Sequence, residues 1–562
     1  MRWTLKPKPD DEKVRALAAS LQVDELIAYL LVQRGITTFE EAKRFFRPQL
    51  TQLHDPFLMK DMDLAVTRIE RAIATGENIL VYGDYDVDGT TSVALVSSYL
   101  LTYYPNVATY IPDRYKEGYG VSYQGIDYAD DNDVTLIIAL DCGVKAIDKV
   151  QYAKDKEIDF IICDHHRPGP ELPNAAAVLD PKRTDCTYPY DELCGCGVGF
   201  KLIQALGSTR GQTIADLMPY LDLVATAIGA DIVPITGENR VLAYYGLQVI
   251  NTTPRAGFSA IMKQTKKPSF TITDVVFIIA PRINAAGRMK HGLHAVTLLT
   301  EQNLEKATAF AEAIETYNTD RKFKDKEITQ EALIQIQNNK EENNYTSVVY
   351  QDNWHKGVIG IVASRLTETY YRPTLVFTKS GDKLAASARS VHGFDVYNAL
   401  EACASHIEQF GGHMYAAGLT LKEEKYQDFK NAFEAEVANT IDPKLLTPEI
   451  EVDAPIRIHQ INDKLLRILK QFAPFGPENL APVFMAEGIY DTGYAKKLGA
   501  EETHLRVNVK QEHSATIGGI GFGLGAKYEQ VANKKRFDAV FAIDENTWNG
   551  NTSIQLHLKD LR

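Results

Sequence analysis

Val81-Tyr82-Gly83-Asp84-Tyr85-Asp86-Val87-Asp88-Gly89 sets three carboxylates two residues apart, at the end of the apolar run Ile79-Leu80-Val81. Alternation along an extended segment predicts all three on one side. Like charges held that close repel unless a cation shares them, and hard divalent metals favour such oxygen clusters. The same arrangement, an apolar run and then an acid, recurs at Leu136-Ile137-Ile138-Ala139-Leu140-Asp141 and at Phe160-Ile161-Ile162-Cys163 followed by Asp164-His165-His166. Buried parallel strands read as continuous apolar runs. Open parallel sheets bind ligands at the carboxyl ends of their strands. One cleft that collects all three clusters around metal is therefore expected.

Each cluster alone is a weak signal. Asp-x-Asp-x-Asp-Gly also fits a calcium loop, but an EF-hand needs a Glu six residues after its Gly, and position 95 is Leu. One further acid fits the set. The segment Leu221 to Asp231 is apolar and nearly uncharged until Asp231, where Ile232-Val233-Pro234 ends it. A carboxylate beside such a core is costly unless paired or metal-bound; a helix-capping role is the plainer alternative.

Outward from these motifs the chain divides by pattern. Residues 1–60 look helical and polar, and 61–290 alternate short apolar runs with helical stretches, including one expected to open at Thr90. No Gly or Pro occurs between Leu293 and Lys356, and Glu301 to Asn338 is rich in helix formers. A long helix over 291–340, spanning roughly 40–55 Å, is expected; two helices broken near Asn318 are the alternative. A second α/β segment occupies 341–447, with strands at Ser347–Tyr350 and Thr374–Phe377. From 448 to 562 a helix, the rigid turn Pro474-Phe475-Gly476-Pro477 and short alternating strands suggest a small β-barrel. The expected fold class is α/β with this all-β tail.

The 562 residues carry a formal net charge of −13, which argues against a protein that is basic throughout but leaves room for local basic channels. Six cysteines without a Cys-x-x-Cys pair suggest reduced thiols. Neither an N-terminal apolar leader nor a membrane-length apolar run is read, so a soluble, cytoplasmic protein without a membrane partner is expected. No Gly-x-Ser-x-Gly elbow points to a protein nucleophile, and no phosphate-binding Gly-x-x-x-x-Gly-Lys-[Ser/Thr] loop points to ATP hydrolysis.

The successive motifs Asp84-Tyr85-Asp86-Val87-Asp88-Gly89, Asp141-Cys142-Gly143, Asp164-His165-His166 and Gly229-Ala230-Asp231 resemble those of the DHH phosphoesterase superfamily. Pro281 to Arg288, Trp354 to Gly360, Ser387-Ala388-Arg389-Ser390 and Gly411 to Gly418 resemble the bridging motif and DHHA1 domain of its RecJ branch. The Pro474-Phe475-Gly476 turn and β-rich tail are similar to the OB-fold of that branch. The resemblance implies a DHH parallel-sheet domain joined by a long helix to a smaller DHHA1 domain, with a C-terminal OB-fold.

It also implies a metal-dependent exonuclease that degrades single-stranded DNA from 5′ to 3′ with two Mn²⁺ or Mg²⁺ ions. Carried over motif by motif, Asp86, Asp88, Asp141, His165 and Asp231 hold metal. Asp84 is a ligand or supporting acid, and His166 polarises the scissile phosphate or its leaving group. Arg114, Ser387 and Arg389 hold the terminal 5′-phosphate, while Arg288 and His413 line the cleft. Tyr490, Tyr494, Lys496, Lys497 and Arg506 are candidates for stacking and backbone contacts on the barrel. Single-strand-binding protein and a helicase are the partners the family implies, with a monomeric chain. Two alternatives share the motifs, an oligonucleotide or cyclic-dinucleotide phosphodiesterase and a non-catalytic replication scaffold; the tail disfavours the first and the full ligand set the second. An inorganic pyrophosphatase is disfavoured by Tyr82, where its motif has a histidine.

Overall fold

A computed structural model describes residues 1–265, 267–548 and 550–562. Strand β1 (Arg2–Leu5) opens the chain, and three helices follow over Asp11–Leu21, Glu25–Gln33 and Phe39–Phe46. The first α/β body is built on a parallel sheet of β2 (Asn78–Gly83), β3 (Val107–Tyr110), β4 (Val134–Leu140), β5 (Asp159–Cys163) and β6 (Ala177–Leu179), in the order β3-β2-β4-β5-β6. The apolar runs around the acidic motifs are its central strands, and Ile79, Val81, Leu136, Ile138 and Ile161 are fully buried. Helices cover both faces, as continuous apolar strands require.

The second body is a five-stranded sheet of β7 (Ser347–Tyr350), β8 (Thr374–Ser380), β9 (Lys383–Arg389), β10 (Gln409–His413) and β11 (Ala416–Lys422), in the order β10-β11-β9-β8-β7. One unbroken helix, Leu304–Asn338, joins the two bodies. Its 35 residues extend about 52 Å. Its first half buries Ala307, Ala311 and Ile314 in the core of the first body. Its second half buries Ile328, Ala332 and Ile336 against the second body. No break occurs near Asn318, which is fully buried and accepts a hydrogen bond from Arg321 at 3.0 Å. A bidentate Arg365–Asp325 pair, both contacts 2.7 Å, fastens the helix to the second body.

The tail contributes β12 (Glu449–Val452), β13 (Ala454–Pro455), β14 (Val483–Asp491), β15 (Lys496–Leu498), β16 (His504–Lys510), β17 (Ile517–Gly521), β18 (Arg536–Trp548) and β19 (Asn551–Leu561). Pairing runs β14-β18-β19-β17-β16, and a short β14–β16 contact at Tyr490↔Lys510 and Asp491↔Val509 partly closes the ring. The N-terminal helices share this barrel's apolar core: Val14, Leu17, Ile27, Leu30 and Leu31 pack in one cluster with Phe472, Phe484 and Phe541. Strand β1 pairs in parallel with β12. The two ends of the chain thus complete each other. Among the described residues no single helix is long and apolar enough to cross a membrane.

Candidate metal centre and substrate cleft

Asp84 follows β2 directly and is wholly buried, with Oδ1 accepting from the Gly120 N–H at 3.1 Å. The chain then enters a helix rather than continuing extended. Asp86 is the N-cap of helix Val87–Leu100, accepting from the Gly89 N–H at 3.0 Å, and Asp88 lies in the first turn. The expected single row of three carboxylates, and a helix opening only at Thr90, are therefore corrected. Gly89 causes the difference: a Cβ there would lie 2.4 Å from the Asp84 carbonyl oxygen, so only glycine lets the first helical turn pass so close to the strand end. Asp88 instead turns toward helix Gly195–Thr209, whose first N–H groups, on Gly195 and Cys196, each donate to its carboxylate at 2.7 Å. The positive end of that helix favours the anion.

Asp141 leaves β4 with a left-handed backbone, φ 58°. Asp231 is the last residue of helix Leu221–Asp231, its side chain 31% exposed to the cleft. These acids converge on one imidazole nitrogen. His165 Nε2 stands 3.2 Å from Asp141 Oδ1, 3.6 Å from Asp231 Oδ2 and 3.7 Å from Asp88 Oδ2. His165 Nε2 and Asp141 Oδ1 are buried yet have no hydrogen-bond partner. Burial, reinforced by neighbouring carboxylates, pushes Asp88 up to about 7 and Asp231 to about 8, and raises Asp84 and Asp141 well above the carboxylate range. Burial, with the adjacent His166 charge, lowers His165 to about 3 and keeps it neutral. Acids that resist ionisation around a neutral imidazole with unpaired lone pairs form a donor set that a divalent cation would satisfy.

Asp164 belongs to a different layer. Its carboxylate accepts from the N–H groups of Val144, His165 and His166 and lies 2.7 Å from His166 Nδ1. Against the opposing effect of burial, this contact raises His166 to about 9 and lowers Asp164. His166 Nε2 sits 3.2 Å from the Tyr119 hydroxyl. A charged imidazole is thus held at the edge of the acidic cluster.

A cleft of about 510 Å³ opens between the two bodies, lined by Asp86, Asp88, Asp231, Arg114 and Arg288 from the first and by Arg389 from the second. Arg114 stacks on the Tyr85 ring at 3.9 Å. Burial, together with the charges of Arg114, Arg389 and Arg321, lowers Arg288 to about 9, and burial alone lowers Arg389. Among the described residues none of these three arginines makes an ion pair, which suits them to an anion not present in the fold. The Ser387 hydroxyl accepts from Arg389 at 3.1 Å, and both side chains border Gly360, at the start of helix Ile359–Tyr370. That N-terminus adds a further positive pole. Gly411 and Gly412 line the cleft floor, whereas His413 is exposed and lies outside the lining.

Sequence reasoning missed Tyr85, Tyr119 and Asn284, which also line the cleft. It also missed Arg321, which reaches the arginine group from the connecting helix. Tyr85 could have been found from its place inside the acidic motif; Arg321 carries no local signal. On the barrel, Lys496 pairs in register with Arg506, both exposed, and Tyr494 is 71% exposed. Phe522, also missed, is 63% exposed beside the rings of His504 and His557.

Three family models match in order: the DHH family N-terminal domain over residues 78–228, the DHHA1 domain over 343–439 and the RecJ OB domain over 452–560. A single-stranded-DNA-specific exonuclease RecJ from Bacillus subtilis is 36% identical over the whole of this chain and 70% of its own length. This chain belongs to the RecJ family. The crystal structure of RecJ from Thermus thermophilus with Mn²⁺ superposes with a TM-score of 0.86 at 26% identity, covering all of this chain and 79% of that one. A Mg²⁺ complex of the same RecJ gives 0.79 at 25% identity, covering 100% and 78%. RecJ proteins are thus crystallised with either ion, and the cluster around His165 supplies oxygen and imidazole donors suited to both. The RecJ fold makes the first body a metal-dependent phosphoesterase.

Proposed function

We propose that this protein is a 5′→3′ exonuclease that hydrolyses single-stranded DNA to mononucleotides. The observation that carries the reading is the meeting of two opposite charge clusters in one cleft, the acids around His165 and the arginines Arg114, Arg288 and Arg389, which make no ion pair among the described residues. When bound, two divalent cations supply Lewis acidity toward water and phosphate oxygens. Asp86, Asp88, Asp141, His165 and Asp231 hold them, with Asp84 supporting from behind. His166, charged and oriented by Asp164, presents a proton donor to the phosphate or its leaving oxygen. Arg114, Ser387 and Arg389 take the terminal 5′-phosphate and so fix how far the strand enters; Arg288 neutralises the adjoining backbone. Gly411 and Gly412 let the backbone approach the second body closely.

The slot between two bodies admits one strand and excludes a duplex, and the barrel extends the contact surface to further nucleotides. A role in recombination and repair, action in the cytoplasm as a monomer, and cooperation with single-strand-binding protein and a helicase follow from the family. A time course on 5′-phosphorylated single- and double-stranded DNA, with Mn²⁺ and with EDTA, tests the reading. Mononucleotide release only from the single strand, and only with metal, is expected. Release of dinucleotides alone, or none, would overturn it.

A further inference from the structure

A second cavity, of about 650 Å³, lies outside the metal cleft, among the N-terminal helices, the start of helix Gly237–Thr252 and the turn ending in Glu478 and Asn479. We propose that it is a phosphate-binding station that grips the single strand a few nucleotides downstream of the end held in the metal cleft. This rests on the nuclease reading above.

Its charge is lopsided. Arg34, half-buried, and Arg240, buried, line it, and their guanidinium groups rest against carbonyls and an amide rather than carboxylates. Arg240 donates to Phe45, Phe472, Ala473 and Pro474 and stacks at 3.8 Å on Phe45; Arg34 donates to Leu30, Asn479 and Leu480. Their positive charge is therefore left uncancelled inside the wall. Three acids also line it: Glu238 is committed to Lys201 at 2.6 Å and to the Tyr188 hydroxyl, Glu40 pairs with the lining Lys43 at 3.7 Å, and Glu478 leaves one carboxylate against four arginines. Arg44 and Arg47, exposed at the end of helix Phe39–Phe46, line the open side, and neither makes an ion pair among the described residues. Thr236, Gly237 and Glu238, at the start of helix Gly237–Thr252, line the same space, and the N-cap Thr236 makes no side-chain cap. That terminus adds to the arginines the hydrogen-bond donors a phosphate accepts.

Position supplies the link to the cleft. Ile235, in the cavity wall, follows the ligand Asp231 by four residues, so at most about 14 Å of chain separates them. A strand whose 5′ end is fixed by Arg389 can leave past Asp231 and meet this cavity before reaching the barrel, whose turn at Pro477 accepts the Ile235 N–H at 2.9 Å. Phosphodiester backbone is the ligand the observations favour, because cationic side chains and amide donors read phosphate without regard to base.

The test uses the full chain with metal chelated, so that the strand stays intact. Binding of a 5′-phosphorylated strand of about 20 nucleotides is compared with that of a trinucleotide too short to reach the cavity. R44E/R47E is expected to weaken the long strand about tenfold and to flatten its salt dependence by roughly 0.7 per lost phosphate contact, leaving the trinucleotide unchanged. T236E, which puts a carboxylate at the cavity wall without touching either arginine, should act in the same direction; melting curves verify that both variants are folded. Equal weakening of both ligands, or none, overturns the station, the latter leaving the cavity to some other partner such as an acidic protein tail. If the wild type digests single strands but R44E/R47E binds normally, the station fails and the nuclease reading stands. If the wild type binds neither ligand, both fail.

Discussion

Gly195 lies so close to Asp141 that a β-carbon on the glycine would stand 2.6 Å from the aspartate's own. The same glycine's N–H donates to Asp88. One backbone position therefore sets the spacing of two carboxylates of the candidate metal centre. Gly195→Ala should push Asp141 away from His165 while barely touching the apolar core. Metal affinity, read by titration calorimetry with Mn²⁺, is expected to fall roughly 10–100-fold. An unchanged affinity would show that the contact does not position the site.

Asp141→Asn keeps the shape at a left-handed backbone position that asparagine tolerates, but removes the ionisable oxygen facing His165. Turnover should drop by at least about 100-fold, while binding of single-stranded DNA in EDTA stays intact. Full activity would remove Asp141 from the ligand set.

Among the described residues Arg389 has no carboxylate partner and donates hydrogen bonds only to the Ser387 hydroxyl and its neighbour's carbonyl. Arg389→Ala should raise KM for a 5′-phosphorylated strand roughly 10–100-fold, as expected for a lost charged hydrogen bond of about 1.5–3 kcal/mol. A strand with a 5′-hydroxyl should be affected far less. Equal effects on both strands would deny Arg389 the terminal phosphate.

The acidic cluster links pH, metal and stability. In the metal-free protein Asp88 and Asp231 have raised values of about 7 and 8, and His166 about 9. The folded form thus holds protons that the unfolded form has released, and ∂ΔG/∂pH is negative in that range. His165, lowered to about 3, acts in the opposite sense only below the ordinary histidine value. In EDTA the melting temperature should therefore fall between pH 6.5 and 8.5. Mn²⁺ at about 100 times its Kd should restore roughly 2.7 kcal/mol at the higher pH. A flat profile in EDTA would mean that the carboxylates are ionised and relaxed without metal.

Because the N-terminal helices share the barrel's core, removing residues 448–562 would unfold them, and point variants are the sound probe. Tyr494→Ala and Phe522→Ala should each weaken binding of long strands by about 1–3 kcal/mol, the worth of a stacked base, without changing the rate on a trinucleotide. Filter binding with strands of graded length measures this, and no change would make both rings ordinary surface.

The acidic motifs, the parallel sheet behind them, the connecting helix and the barrel were legible because each is a local signal: an apolar run closed by an acid, a long stretch free of Gly and Pro, alternation in short strands. Asp86, Asp88, Asp141 and His165 could be gathered into one site because strand ends of a parallel sheet share an edge; Asp231, at the end of a helix, joined them through the family resemblance. Local signals misread the geometry inside the motif, since the turn of the chain at Asp86 depends on how closely Gly89 approaches Asp84. They also could not exclude His413 from the cleft or bring in Arg321, whose place depends on how the long helix lies between the bodies.

The sequence by itself determined which chemical groups stand at the ends of the strands and helices, because spacing along those elements fixes them. Only the tertiary structure decided that Gly195 shapes the site from another helix, that the two ends of the chain form one core, and that arginines without charge partners gather beside the acids. Those relations join residues far apart in the chain, and burial, close approach and missing charge partners exist only once the chain has packed.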